Sequence, residues 1–204
     1  MAAELIVFDP LETLPEEDRV LARSGCPPSR RGRFGAEARE AIESLSRAAQ
    51  PEAIVSTMDV RVITEDEVVT GEMHLKSASL ARFMKGAEKV SVFLVTLGSR
   101  PEREARRLQD EGCYTRSFFL DAAASCMVDR LARELHRRLT GEFPGCRATA
   151  RFAPGFGDFS LASQEDIIVH LGGGSIGVSL QRDSYTLLPV KSGTGVIGWI
   201  SLKS

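Results

Sequence analysis

One long amphipathic pattern constrains the fold of this chain more than any other feature. Residues 114–140 predict a single helix, because apolar side chains recur there at intervals of three or four and form one stripe. The stripe comprises Leu120, Ala124, Met127, Leu131, Leu135 and Leu139. Asp121, Ser125 and Asp129 recur every four residues, so they share a neighbouring stripe of the same helix.

Segments rich in β-branched residues alternate with shorter helical patterns along the rest of the chain. Strands are predicted at 5–8, 54–64, 68–74, 89–97, 176–180, 184–188 and 195–201. Helices are predicted at 16–23, 36–49, 77–85, 99–111 and 161–170, and a loop at 26–35. This order predicts one α+β domain, 1–204, in which helices pack on a twisted, largely antiparallel sheet. Residues 1–76 form its more loosely patterned N-terminal part.

The charge balance indicates that neither nucleic acid nor an anionic membrane is a partner of this chain. It has 26 basic and 28 acidic side chains, a net charge of −2, so no overall field attracts a polyanion. No apolar run approaches the roughly 20 residues that a membrane helix needs. Residues 1–10 lack the positively charged start of a signal peptide. We therefore expect a cytoplasmic protein.

The spacing of cysteines and histidines does not predict a metal site. The four cysteines form no CxxC pair, and the three histidines are scattered. Free thiols in a reducing compartment are the simpler interpretation. His136 lies at the polar end of the long helix and is interpreted as an exposed or capping residue. No side chain is therefore assigned a catalytic acid–base role.

The glycine-rich run at 172–177 matches two short motifs without their structural setting. It satisfies GxGxxG, but that fingerprint needs a strand before it and a helix after it. It also contains GxSxG, but no histidine follows His170 to complete a hydrolase triad in the usual order. The run is predicted to be a turn.

The segment 151–158, RFAPGFGD, combines residues that are suited to binding a small ligand. Pro154 pushes the preceding residue toward extended geometry, and Gly155 allows positive φ and close approach of another molecule. Arg151 offers a rigid fork to a carboxylate, and Phe156 offers an aromatic face to a cation. These residues fit a zwitterionic ligand with a positive centre. A proline–glycine corner in which Phe156 plugs the core is equally compatible with them.

Four segments in order resemble the activation domain of cobalamin-dependent methionine synthase. RFAPGF at 151–156 is similar to the S-adenosylmethionine-binding signature RxxPG[YF] of that family. The other similar segments are TLG at 96–98, LDA at 120–122 and SYTLLPVKS at 184–192. The resemblance is closest over 89–199 and loose before Ser77. It implies the fold of that domain, here as a stand-alone protein.

The resemblance implies an S-adenosylmethionine site around the 151–158 segment. Arg151 would hold the carboxylate, the main chain of Ala153 would contact the adenine or amino acid part, and Gly155 would leave space. The aromatic position is Phe156, where the family usually has tyrosine. Counting along the long helix places a ligand-facing carboxylate at Asp129, for which a solvated position is equally possible.

The resemblance also implies a surface for a partner, formed by Phe156, Tyr185 and Ser125. Ser125 stands where the family has another carboxylate. The implied function is to bind S-adenosylmethionine and present its methyl group to cob(II)alamin on a partner protein, in the reductive methylation that reactivates methionine synthase. No D-x-H-x-x-G run for cobalamin binding occurs here, so a corrinoid-binding component is expected in trans, with a flavodoxin-like or other electron donor.

The sequence leaves an alternative function open. The chain would then be an S-adenosylmethionine-binding or purely structural subunit of a split corrinoid methyltransferase, without methyl transfer. The changes at Ser125 and Phe156 are compatible with that alternative.

Overall fold

The computed structural model describes residues 3–202, which form a seven-stranded sheet with helices on both faces. Its strands are β1 (Glu4–Val7), β2 (Glu52–Ile63), β3 (Glu67–Thr70), β4 (His74–Lys76), β5 (Lys89–Thr96), β6 (Cys146–Ala148) and β9 (Ser192–Ser201). The order is β4-β3-β2-β5-β9-β6, with β1 on β2, and the paired strands are antiparallel. Strands β7 (Ser179–Gln181) and β8 (Thr186–Leu188) form a separate hairpin. The predicted α+β class is confirmed.

The long predicted helix is the centre of one helical layer. The helices are α1 (Pro10–Thr13), α2 (Glu17–Arg23), α3 (Arg31–Ala48), α4 (Ala78–Phe83), α5 (Arg100–Asp110), α6 (Tyr114–Glu142) and α7 (Ser163–Leu171). α6 buries the stripe that includes Leu131, Leu135 and Leu139, and α1, α2, α3 and α5 pack around it. Within residues 3–202, no helix is long and apolar enough to cross a membrane.

Strand β5 lies between two hydrophobic cores, which explains why all of its residues except Lys89 are buried. Side chains alternate between the faces of a strand. Phe93 and Val95 join the core shared with α6, whereas Val92 and Leu94 join the core that contains α4 and α7. The sheet therefore has a helical layer on each face, and α6 lies directly over β5 and β9.

The predicted loop at 26–35 is wrong over its second half. A 3-10 turn begins at Pro28 and runs directly into α3, which starts at Arg31. Proline suits the first position of a helical turn, because the N–H that it lacks would have no partner there. The proline and glycines of this stretch therefore open a helix where the composition predicted a loop.

Three predicted strands also differ from the structure. The strand at 68–74 is divided into β3 and β4 by a turn, in which Thr70 Oγ1 accepts from the N–H of Met73 at 2.8 Å. The strand predicted at 176–180 begins later in the structure, because a 3-10 turn occupies Gly173–Ile176 and β7 starts only at Ser179. β9 begins at Ser192, three residues before the predicted start, because its pairing with β5 extends through the glycine-containing stretch. The short strand β6 was not predicted.

Candidate functional site

The segment 151–159 crosses the edge of the sheet and turns sharply. Phe152 forms a bridge with Val196 of β9 through two backbone hydrogen bonds of 2.9 and 2.7 Å. Beyond Pro154, the N–H of Gly155 donates to the carbonyl of Phe159 at 2.7 Å. The N–H of Phe156 donates to the carbonyl of Ala153 at 3.1 Å. These bonds hold Arg151 and Phe156 on a closed turn instead of a free loop.

Asp158 fixes the far end of this turn to the N-terminus of α4. Its carboxylate accepts from Ser77 Oγ at 2.6 Å and from the backbone N–H groups of Ala78 at 2.8 Å and Ser79 at 2.9 Å. The hydrogen bonds from Ser77 and Ser79 hold the pKa of the exposed Asp158 carboxyl far below its usual range. The turn therefore has anchors on β9 and on α4.

A cavity of about 580 Å³ lies between α6 and this turn, over the face of β5 and β9. Its lining residues are Phe93, Val95, Val128, Asp129, Ala132, Arg133, His136, Ala150, Arg151, Ala153, Phe156, Ser192, Gly193 and Thr194. Four of the five predicted ligand-binding residues thus line one cavity, with Asp129 on α6 and the other three on the turn. Its size is in the range of small-molecule sites.

Gly155 is the predicted binding residue that does not line the cavity. Its φ of +94° suits glycine, and a Cβ added there would lie 3.1 Å from Leu161 Cδ2. The structure therefore gives Gly155 a role in closing the turn, with Leu161 beside it and not the cavity.

Arg151 is half-buried in the cavity wall. No hydrogen bond or ion pair joins its guanidinium to any residue between 3 and 202. Burial is the main cause that lowers its pKa, the charge of Arg133 lowers it further, and Asp129 acts in the opposite direction. A desolvated guanidinium without a counter-ion is well suited to bind an incoming carboxylate.

Asp129 faces the cavity but already has an ion pair. Its Oδ2 lies 3.0 Å from Nη1 of Arg23 on α2, and the two side chains are 56% and 51% exposed. Asp129 is therefore a solvated carboxylate that also forms part of the cavity wall.

Ser125 lies outside the cavity lining, in a different set of contacts. It accepts a hydrogen bond from Nζ of Lys191 at 3.0 Å and donates to the carbonyl of Asp121 at 3.0 Å. Lys191 Nζ also lies 2.7 Å from Asp121 Oδ1. Ser125 therefore helps to join α6 to the start of β9.

The two aromatic residues predicted to face a partner are exposed. Phe156 is 62% exposed although it lines the cavity, so it stands at the mouth. Tyr185 is 36% exposed and lies on the β7–β8 connection, with φ of +52°. Gln164 links this connection to the cavity, because it donates to the carbonyl of Tyr185 at 2.7 Å and accepts from Thr194 at 3.2 Å.

Sequence reasoning missed two cavity residues, Arg133 and His136. Both lie on the helical face of Asp129, at the fourth and seventh following positions, and that spacing is the signal that identifies them. Burial is the main cause that lowers the pKa of His136, and the charge of Arg151 lowers it further. The interpretation of His136 as an exposed or capping residue is therefore wrong. No metal-binding group of three side chains occurs in the described part of the chain.

Comparison with solved structures shows the fold. The chain is similar to the crystal structure of the MetH reactivation domain bound to AdoHcy, with a TM-score of 0.75 and 13% identity. The match covers 100% of this chain and 80% of the other. No family model matches the sequence, and no curated protein matches it. The fold expected from the four similar segments is thereby confirmed.

Proposed function

We propose that this chain binds S-adenosylmethionine in the cavity between α6 and the 151–159 turn, and presents its methyl group to a corrinoid on a partner protein. The observation that carries the proposal is the half-buried guanidinium of Arg151, which has no ion pair with residues 3–202 and faces the cavity. The likeness to a reactivation domain that holds AdoHcy supports it.

The amino acid end of the ligand would be held by Arg151. A carboxylate there would form charge-assisted hydrogen bonds, and it would neutralise a positive charge that burial and Arg133 both disfavour. The Ala153 N–H adds a second donor, because it donates no backbone hydrogen bond within the described residues. These groups lie on one turn, so they can contact the same end of the ligand.

The mouth of the cavity would face the corrinoid. A cobalamin bound to the partner would supply the methyl-accepting and electron-transfer chemistry. This chain's residues bind and orient the ligand. Phe156 fits this contact because it lines the cavity and remains 62% exposed.

Titration calorimetry with S-adenosylmethionine tests the binding step. We expect Arg151→Ala to weaken binding by about 2 kcal/mol or more, close to 30-fold, because a charge-assisted contact to the carboxylate is lost. Arg147→Ala is the matched control, since Arg147 is an exposed residue of β6 outside the cavity lining. Equal affinity of wild type and Arg151→Ala would remove Arg151 from the site.

The presentation step needs a corrinoid partner and a reductant. We expect the cob(II) absorption of the partner to disappear faster with wild type than with Phe156→Ala at saturating S-adenosylmethionine. Phe118→Ala is the control, because that ring is 55% exposed at the other end of α6. Binding of S-adenosylmethionine without any change in the cob(II) spectrum would instead support the alternative, a binding subunit without methyl transfer.

A further inference from the structure

Asp129 lies between two hollows in the protein surface and lines both of them. One is the cavity described above, and the other lies between α2 and α6 and is lined by Arg19, Arg23 and Arg130 among others. Both hollows include Asp129 and Arg133 in their walls. Arg23 therefore reaches the Asp129 carboxylate from the side opposite the cavity.

Asp129 is the one carboxylate among the described residues that line the cavity. The cations there are Arg133 and Arg151, neither of which has an ion pair with residues 3–202. Since Arg23 lies 3.0 Å from Asp129, its positive charge offsets the negative charge that Asp129 directs into the cavity. The cavity as a whole is therefore electropositive.

The charge of the cavity would affect ligand binding, because the ligand's sulfur would lie near its charged side chains. A short chain of methylenes joins that sulfur to the carboxylate, so a ligand held at Arg151 places its sulfur close to Arg151. Asp129 and Arg133 line the same cavity as Arg151. The sulfur would thus lie among these three side chains, and its charge would interact with all of them.

We infer that Arg23 determines how this site discriminates between a sulfonium and a neutral thioether, by pairing with the carboxylate that would otherwise attract the sulfonium. The inference rests on the proposed function. S-Adenosylmethionine and S-adenosylhomocysteine share the carboxylate and the adenosine and differ in the methyl group and the positive charge on sulfur. Wild type should therefore bind the thioether at least as tightly as the sulfonium.

The experiment compares the affinities of both ligands by calorimetry in wild type and Arg23→Gln. Release of Asp129 from its ion pair should shift the affinity ratio toward S-adenosylmethionine by about two- to fivefold, the range of exposed charge pairs. Arg47→Gln is the matched control, because Arg47 pairs with Glu43 at 2.7 Å on α3, outside the cavity. That variant should leave the ratio unchanged.

A second substitution tests whether Arg23 acts through the charge of Asp129 or through a change in the fold. In the Asp129→Asn background, Arg23→Gln should no longer change the ratio, because the carboxylate that Arg23 offsets is absent. A ratio that is unaltered by Arg23→Gln, with both ligands still bound, would overturn the inference and leave the proposed function intact. Failure of wild type to bind either ligand would overturn the proposed function itself.

Discussion

At the scale of single residues, the 151–159 turn depends on a glycine that no other residue can replace without strain. Gly157 has φ of +57°, and a Cβ added there would lie 2.7 Å from Ser79 Oγ and 2.8 Å from its Cβ. Both the backbone conformation and the space beside it therefore exclude a side chain. The contact brings the turn against the start of α4, where Asp158 is also bound.

Gly157→Ala should lower the free energy of unfolding by about 1–3 kcal/mol, through the positive φ and the contact with Ser79. Gly174→Ala is the control, because that glycine has ordinary φ and nothing within 4 Å of an added Cβ. Urea denaturation of both variants measures the difference. Equal stability of the two variants would contradict this account of the turn.

The hydrogen bonds of Asp158 predict a pH dependence of stability. Its folded-state pKa lies below the unfolded value, so the stabilisation is fully present above about pH 4 and is lost as the pH falls toward the folded pKa. Thermal denaturation should therefore show wild type more stable than Asp158→Asn at pH 7, with a smaller difference at pH 3. Asp183→Asn, which alters an exposed carboxylate beside the β7–β8 hairpin, is the control.

The half-buried His136 should lower the stability of the fold at mildly acidic pH. Its pKa is lowered in the folded state, so the unfolded chain binds the proton more readily and stability falls as the pH drops below about 6.5. His136→Gln should remove this part of the pH dependence, which thermal denaturation between pH 7 and pH 5 would measure. An unchanged slope in the variant would show that His136 does not titrate differently in the two states.

At the scale of elements, Lys191 joins the start of β9 to two helices. Its side chain pairs with Asp121 at 2.7 Å and Ser125 at 3.0 Å on α6, and its N–H donates to Glu102 of α5 at 2.9 Å. Its side chain is 11% exposed. These contacts fix the end of β9 that borders the cavity.

Lys191→Met should destabilise the protein by about 1–2 kcal/mol, because a largely buried ammonium loses hydrogen bonds to a carboxylate and a hydroxyl. Lys89→Met is the control, since Lys89 pairs with Asp59 on the surface, with side chains 40% and 80% exposed. Surface pairs contribute about 0–1 kcal/mol. Denaturation curves that rank the two variants in the reverse order would contradict the role of Lys191.

At the scale of the whole molecule, the candidate site joins two layers of the domain. The cavity has α6 on one side and β5, β9 and the 151–159 turn on the other. A ligand there would contact the helical layer and the sheet at the same time. Binding would therefore oppose separation of the layers and would stabilise the folded state by mass action.

Hydrogen exchange should detect this effect across both layers. With S-adenosylmethionine at about 100 times its Kd, stability should rise by about 2.7 kcal/mol. Amide protection should increase in 128–136 of α6 and in 151–156, but much less in the β7–β8 hairpin. Arg151→Ala at the same ligand concentration should lose most of the added protection. An increase confined to the hairpin, with 128–136 and 151–156 unchanged, would place the ligand elsewhere.

Part of this structure was readable from the sequence because it depends on local patterns. The stripe along α6 and the apolar run of β5 predicted the helix and the strand, since each pattern repeats with the period of its element. The composition of 151–156 predicted a turn, which the structure contains, and left both a ligand-binding turn and a core-plugging corner open. These features do not depend on which elements are neighbours in space.

Tertiary structure decided how those features combine. The ion pair between Arg23 and Asp129 joins residues far apart in sequence, and the packing of α6 over β9 brings His136 close enough to Arg151 for the Arg151 charge to lower its pKa. The start of β9 at Ser192 likewise depends on its pairing with β5. Sequence patterns set each element's apolar face, but burial, cavities and charge pairs arise only when distant elements pack together.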